Sequence, residues 1–148
     1  ACSFTSAGLN GAAMQMFTHG TSSAMLFLIV GVAYDRAHHR EIEGFGGLAN
    51  VAPVYLGLTS VGMFAALGLP GMSGFVSEVL VIIGSWQVYP ELASLAVIGI
   101  VVTAAFVLWT LQRVFLGPLN EKYADFEDVT VFEQEGRMTT FGGYKKPQ

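Results

Sequence analysis

Charge is missing from most of this sequence. Between Gly11 and Tyr34 the one ionisable side chain is His19, and between Gly44 and Gln112, tyrosines aside, there are two, Glu78 and Glu91. Charged residues make up 12% of the chain, where an ordinary soluble domain carries roughly a quarter. The composition is that of a membrane protein. No basic stripe exists for nucleic acid to bind. The single cysteine, Cys2, excludes an internal disulfide and a cysteine metal site. The first apolar run lacks the basic start and small-residue cleavage site of a secretory signal, so none is expected. "GFGG" and "GLPG" lack the strand-turn-helix setting and spacing of a phosphate or dinucleotide loop. His38 and His39 stand in a charged loop with no third ligand at metal spacing. With no haem, flavin or iron-sulfur signature either, the chemistry left to the chain is that of protons or ions.

What is present is a set of long uncharged runs. Residues 1–34 read as an amino-terminal loop and a first transmembrane helix. Its apolar part, 11–34, would measure about 36 Å, enough for a hydrocarbon core of roughly 30 Å. Residues 35–52, "DRAHHREIEGFGGLAN" with the two residues that follow it, are charged and glycine-rich and read as a cytoplasm-facing loop. The second span, 53–86, would be about 51 Å long as one straight helix, far more than a membrane needs. Pro70 removes a backbone donor, and Gly68, Gly71 and Gly74 relax the chain around it, which predicts a helix broken into halves at 53–69 and 75–86. Trp86 and Tyr89 then suit a membrane interface. A third transmembrane helix is predicted over 92–116, followed by a polar tail, 117–148, at the interface or in solvent. The predicted fold is an all-α integral membrane protein with three transmembrane helices, the second discontinuous. Arg36 and Arg40 precede the second span and Arg113 and Lys122 follow the third, whereas the loop between those spans carries only Glu91. Three spans put both basic groups on the cytoplasmic side.

Tyrosines and the terminal Arg113 aside, two titratable groups lie inside these spans. A charged carboxylate at membrane depth costs several kcal/mol unless paired, hydrated or protonated, which makes Glu78, just past the break, a candidate for proton transfer. His19 sits in "MQMFTHGTSSAM", beside Gln15, Thr18, Thr21, Ser22 and Ser23. Taken alone it reads equally as a structural histidine bonded to a neighbouring helix. Together with Glu78, Ser73 and Ser77, it forms a candidate hydrated polar track, because relays need titratable groups separated by hydroxyls or water. The methionines and phenylalanines fit packing against lipid and helices better than a cofactor site.

Three blocks, "QMFTHGTSSAMLFLIVGVAYDRAHHREIEGFGGLANVAPVY", "GLPGMSGFVSEVLV" and "LQRVFLGPLNEKY", occur in an order and spacing similar to the carboxyl-terminal part of the subunit M family of NADH-quinone oxidoreductase. That family belongs to the antiporter-like, proton-translocating subunits of respiratory complex I. The resemblance runs from about residue 10 to 128. It implies that the three spans are the eleventh to thirteenth helices, within the second of two inverted repeats, where broken helices are a general transporter device. It also implies that His19 matches the family's eleventh-helix histidine and Glu78 the acidic residue serving an outward proton half-channel. NADH, FMN, iron-sulfur clusters and quinone are expected elsewhere in the complex, with no cofactor or metal on this chain. Partners would be other complex I membrane subunits and the lipid bilayer, in a bacterial inner membrane or a mitochondrial inner or thylakoid membrane. The departures are as informative. The family's inward half-channel, with its glutamate-lysine pair and central lysine, has no counterpart here, no span holds a lysine, and the last helix is missing. A fragment, a split-gene product or part of a subunit is therefore expected. Alternative functions are a subunit of a multisubunit sodium/proton antiporter or membrane-bound hydrogenase, or an assembly scaffold without transport of its own.

Overall fold

The chain is described over residues 4–129 by a computed structural model. Thr5 starts the first helix: its hydroxyl accepts the Gly8 N–H at 3.1 Å, satisfying one of the amides that a helix start leaves open. Helix α1 runs Ser6–Ala37 and ends at His38, whose N–H returns to the Tyr34 carbonyl. It begins five residues before the apolar run does, because Gly8 and Gly11, poor helix formers, are buried against another helix. Helices α2, Pro53–Leu67, and α4, Pro90–Phe115, each open with proline in the first turn, where its missing N–H costs nothing. Helix α3 is Ser73–Trp86. Among the described residues there are also three short 3₁₀ turns and no strand.

Helices α1 and α4 are long and apolar enough to cross a membrane, at about 48 and 39 Å. Helices α2 and α3, of 15 and 14 residues, reach only about 22 and 21 Å, each short of a hydrocarbon core of roughly 30 Å.

The connection between them is more ordered than a proline kink. Gly68 adopts a left-handed φ of 72°, its N–H donating to the Ala65 carbonyl at 3.3 Å while Leu69 N–H donates to Phe64 at 3.2 Å. This pair of bonds is a Schellman motif. A turn over Leu69 to Met72 follows, with Pro70 second and Gly71 third at φ 102°, closed by Met72 N–H on the Leu69 carbonyl at 2.9 Å. Proline then glycine in those places defines a type II turn. Pro70 therefore stands outside both helices. Both halves lie two residues earlier at the break than expected, and the break bonds several of its own N–H groups that a kink would leave open.

Helix α3 runs antiparallel to α1 along a seam of small residues: Gly8 meets Gly84, Gly11 meets Val81, and Gln15 and Thr18 both meet Ser77. A Cβ at Gly11 would come within 2.8 Å of Leu80 Cβ and of the Val81 nitrogen, so glycine alone permits this approach. Lipid offers no hydrophobic drive between helices, and such close contact supplies the dispersion energy instead. Thr5 adds a hydrogen bond to the Gly84 carbonyl at 3.1 Å. At the other end of α1, the Tyr55 hydroxyl in the first turn of α2 donates to the Ile29 carbonyl at 2.9 Å. Helices α2 and α3 thus run end to end back along α1, and α4 packs on both.

The densest core sits at the end where α1 and α4 finish and α2 begins. Leu48, Ala52, Tyr55, Phe115, Tyr123 and Phe126 are buried together there. As far as Val129, most residues of the stretch read from sequence as a polar tail are exposed, and two buried aromatics, Tyr123 and Phe126, anchor it. Tyr123 bonds to His39 and stacks on Phe45, and Asn120 donates to the carbonyls of Gly46 and Gly44 at 3.3 and 3.0 Å. Asp128 accepts from the N–H groups of Val54 and Tyr55 at 2.9 Å each, capping α2, whose own preceding residue, Ala52, has no side-chain oxygen to offer. Charge hid this packing in the sequence, because two aromatic anchors carry it among acidic neighbours. Residues 130–148 of the expected tail, and Cys2, lie outside the described residues. Arg36, Arg40, Arg113 and Lys122 all gather at this end, each over an aromatic ring, at 5.8, 4.8, 5.0 and 5.5 Å respectively.

Candidate functional site

Glu78 lies in the second turn of α3, half-buried, with its carboxylate against the break. The left-handed Gly68 makes that possible: a Cβ there would fall 2.8 Å from Glu78 Cδ and 2.9 Å from Oε1. Two clefts meet at this carboxylate. One, of about 420 Å³, opens between α1, α3 and α4 and takes in Gln15, Leu67, Val81, Gly99 and Thr103. The other, of about 230 Å³, lies under the break, against Gly68, Pro70, Phe75, Ile100 and Ala104. Among the described residues no cation pairs with Glu78.

Next to it is a buried polar knot. The hydroxyls of Thr18 and Ser77 are 3.4 Å apart, and both lie within hydrogen-bond reach of the Gln15 side-chain oxygen. Ser77 is wholly buried and Thr18 nearly so. A buried hydroxyl without a partner is costly, and here each has one.

The residues singled out from sequence therefore fall into two sets. Thr18, Ser77 and Glu78 come together beside Gly68 and Gly74, the latter packed on the Ala65 carbonyl. His19, Thr21, Ser22, Ser23 and Ser73 do not join them. His19 is exposed on α1, with Nε2 3.4 Å from Ser23 Oγ one turn along the same helix, and lines neither cleft. Thr21 and Ser22 donate to carbonyls of their own helix, those of Thr18 at 3.0 Å and His19 at 3.2 Å. Ser73 is exposed at the start of α3, and Pro70 and Gly71 are exposed in the turn.

Gln15 was noted beside His19 but not placed at Glu78, and Thr103 was missed. For Gln15 the signal was available: Gly8, Gly11, Gln15 and Thr18 share the spacing of Gly74, Ser77, Val81 and Gly84, a stripe on one face of each helix. Among the described residues no group of three or more His, Cys, Asp or Glu side chains could hold a metal ion. The arrangement is one carboxyl, open on two sides, with hydroxyls and an amide beside it. Such a group can take up and release a proton.

Residues 1–103 match the protein family described as NADH:quinone oxidoreductase/Mrp antiporter, TM. The chain belongs to that family. The matched stretch contains α1, α2, α3 and α4 as far as Thr103, hence every polar residue around Glu78. Among curated relatives, the chain is 44% identical over 128 residues to NADH-quinone oxidoreductase subunit M of Rhodobacter capsulatus, covering 86% of this chain and 25% of that protein. It is 39% identical over 132 residues to subunit M of Rickettsia bellii, covering 88% and 27%. It is 40% identical over 127 residues to NAD(P)H-quinone oxidoreductase chain 4 of Prochlorococcus marinus, covering 81% and 24%. The chain thus spans about a quarter of the length of these relatives. As a member of this family it is an integral membrane protein, and the exposed apolar faces of α1 and α4, with Phe17, Phe27, Leu95, Ile98, Val101 and Phe106, are the surfaces such a protein presents to lipid or to other helices.

Proposed function

We propose that this chain is a proton-translocating segment of a NADH:quinone oxidoreductase, contributing the outward half of a proton channel coupled to quinone reduction elsewhere in the complex. The observation that carries this reading is the unpaired Glu78 carboxylate, set against a helix break and open to clefts on both sides. Protonated, Glu78 is neutral and at home in an apolar cleft. Ionised, it needs water or a cation. A cation moving nearer on a neighbouring helix would favour release of the proton into the cleft, and its withdrawal would favour reloading. Thr18 and Ser77 extend the polar route toward α1, and His19 with Ser23 would meet a neighbouring helix on the outer face. The redox groups, and the helices that complete the path, lie outside this chain.

In this reading α1, α2 with α3, and α4 make three crossings from the second inverted repeat, with 35–52 and the stretch from 117 on the cytoplasmic side. Support comes from the end-to-end course of α2 and α3 along α1 and from the four cations at one end. Cysteines introduced at Ala37 and Glu91 are expected to react with impermeant reagents from opposite sides of intact cells. Reaction from the same side would remove one crossing.

A sodium/proton antiporter subunit is the second reading, because the matched family description joins both groups. Purification through a tag on this chain separates them. The expected result is a complex that contains nicotinamide-oxidising subunits and builds a pH gradient in vesicles on addition of NADH. Recovery of a sodium/proton exchanger without those subunits would overturn the proposal.

A further inference from the structure

Gln15 is the one long polar side chain in the seam of Gly8, Gly11, Thr18, Ser77 and Gly84. A seam built on close backbone approach has no packing need for it. What Gln15 has left is its amide nitrogen. Its side-chain oxygen is taken by hydroxyl donors, which leaves two N–H donors for the cleft of about 420 Å³ that it lines. Glu78 and Thr103 are the other polar side chains lining that cleft, and the Thr103 hydroxyl already donates to the Gly99 carbonyl at 3.0 Å. Gln15 and Glu78 thus share one cleft, and among the described residues no hydrogen bond joins them directly.

We propose that Gln15 is a positioning residue for Glu78: held through its oxygen by Ser77 and Thr18, it presents its NH₂ to the Glu78 carboxyl through a cleft water and fixes the carboxyl's orientation between the two clefts. The cleft has room for such a water, which occupies about 30 Å³ in the liquid. An amide N–H can donate to a carboxylate oxygen and, more weakly, to the carbonyl oxygen of the protonated acid. Gln15 does not titrate, so it holds the group in both states. This inference rests on the reading that Glu78 exchanges protons.

The test uses the assembled complex that contains this segment. Infrared difference spectra of the unaltered complex and of E78Q isolate the C=O band of protonated Glu78. Q15M keeps the length of the side chain and removes its amide, and is expected to move that band to higher frequency and to lower proton translocation per NADH by about tenfold. Q15N should restore part of both. S77A, which frees the amide oxygen, should move the band by less. An assembled Q15M complex with the Glu78 band unmoved would reduce Gln15 to seam packing, whatever its pumping. If Q15M fails to assemble, S77A decides: a moved band supports the positioning role and an unmoved one overturns it. Absence of any Glu78-dependent band would overturn the proton-exchange reading together with this one.

Discussion

Glu78→Gln is expected to give a complex that assembles and still oxidises NADH, while the protons moved per NADH fall by roughly tenfold or more. Glutamine keeps the size and hydrogen-bonding reach of the side chain but fixes it neutral. The contact with Gly68 therefore survives and the exchange does not. Glu78→Asp should retain part of the activity, because the charge persists on a shorter arm withdrawn from the break. His19→Ala should do less, since His19 lines neither cleft and its near neighbour is Ser23 on its own helix. Glu91→Gln is the control. Glu91 is exposed in the first turn of α4, on a different helix from Glu78. The measurement is the pH gradient formed per NADH oxidised in vesicles, with assembly followed on native gels. Unaltered pumping by an assembled Glu78→Gln complex would leave Glu78 a structural residue.

Gly68→Val carries the largest expected structural effect. At φ 72° a β-branched side chain is strained by roughly 1–3 kcal/mol before any contact is considered. Its Cβ then meets the Glu78 carboxylate, so either the Schellman bonds at Gly68 and Leu69 open or Glu78 is pushed out of place. Assembled complex is expected to fall several-fold. Gly68→Ala should fall less, and Gly71→Ala least, although Gly71 also has a positive φ of 102°, because nothing lies within 4 Å of the Cβ it would carry. The difference between the two alanine variants isolates the contact with Glu78. Adding Glu78→Ala to Gly68→Ala should therefore recover part of the lost assembly, a coupling expected of groups in contact. Equal losses at both glycines, with no recovery in the double variant, would place the carboxylate away from Gly68.

Much of this architecture was legible in the sequence. Uncharged runs marked α1 and α4, Pro53 marked the start of α2, and Pro70 with its glycines marked the break. Local chemistry decides those features, and local chemistry is what a sequence displays. The break's internal form was harder. Pro70 read as the cause of the break between 53–69 and 75–86, whereas Gly68, free to take positive φ, lets the chain leave the helix two residues before the proline arrives. The polar group was half legible for a related reason. Periodicity states which residues share a face but not which face meets another helix, so His19 and Thr18 looked alike although one is exposed and the other buried. Gln15 and Ser77 meet across 62 positions, and no local pattern announces that pairing. Asp128 was illegible for the same reason: an acidic residue in a charged stretch gives no sign of the helix end it caps.

That cap has a consequence for how the segment is made. Asp128 is synthesised 74 positions after Val54, whose N–H it accepts, and at about 5 to 20 residues per second a ribosome needs roughly 4 to 15 s to cover that distance. Throughout that interval the first turn of α2 enters the bilayer without its acceptor. The α1–α3 seam needs nothing made after Trp86 and can close early. The start of α2 cannot, because Asp128 lies beyond the whole of α4. Biogenesis of this segment thus has an order written into it, in which the discontinuous helix is built in the middle and fastened last.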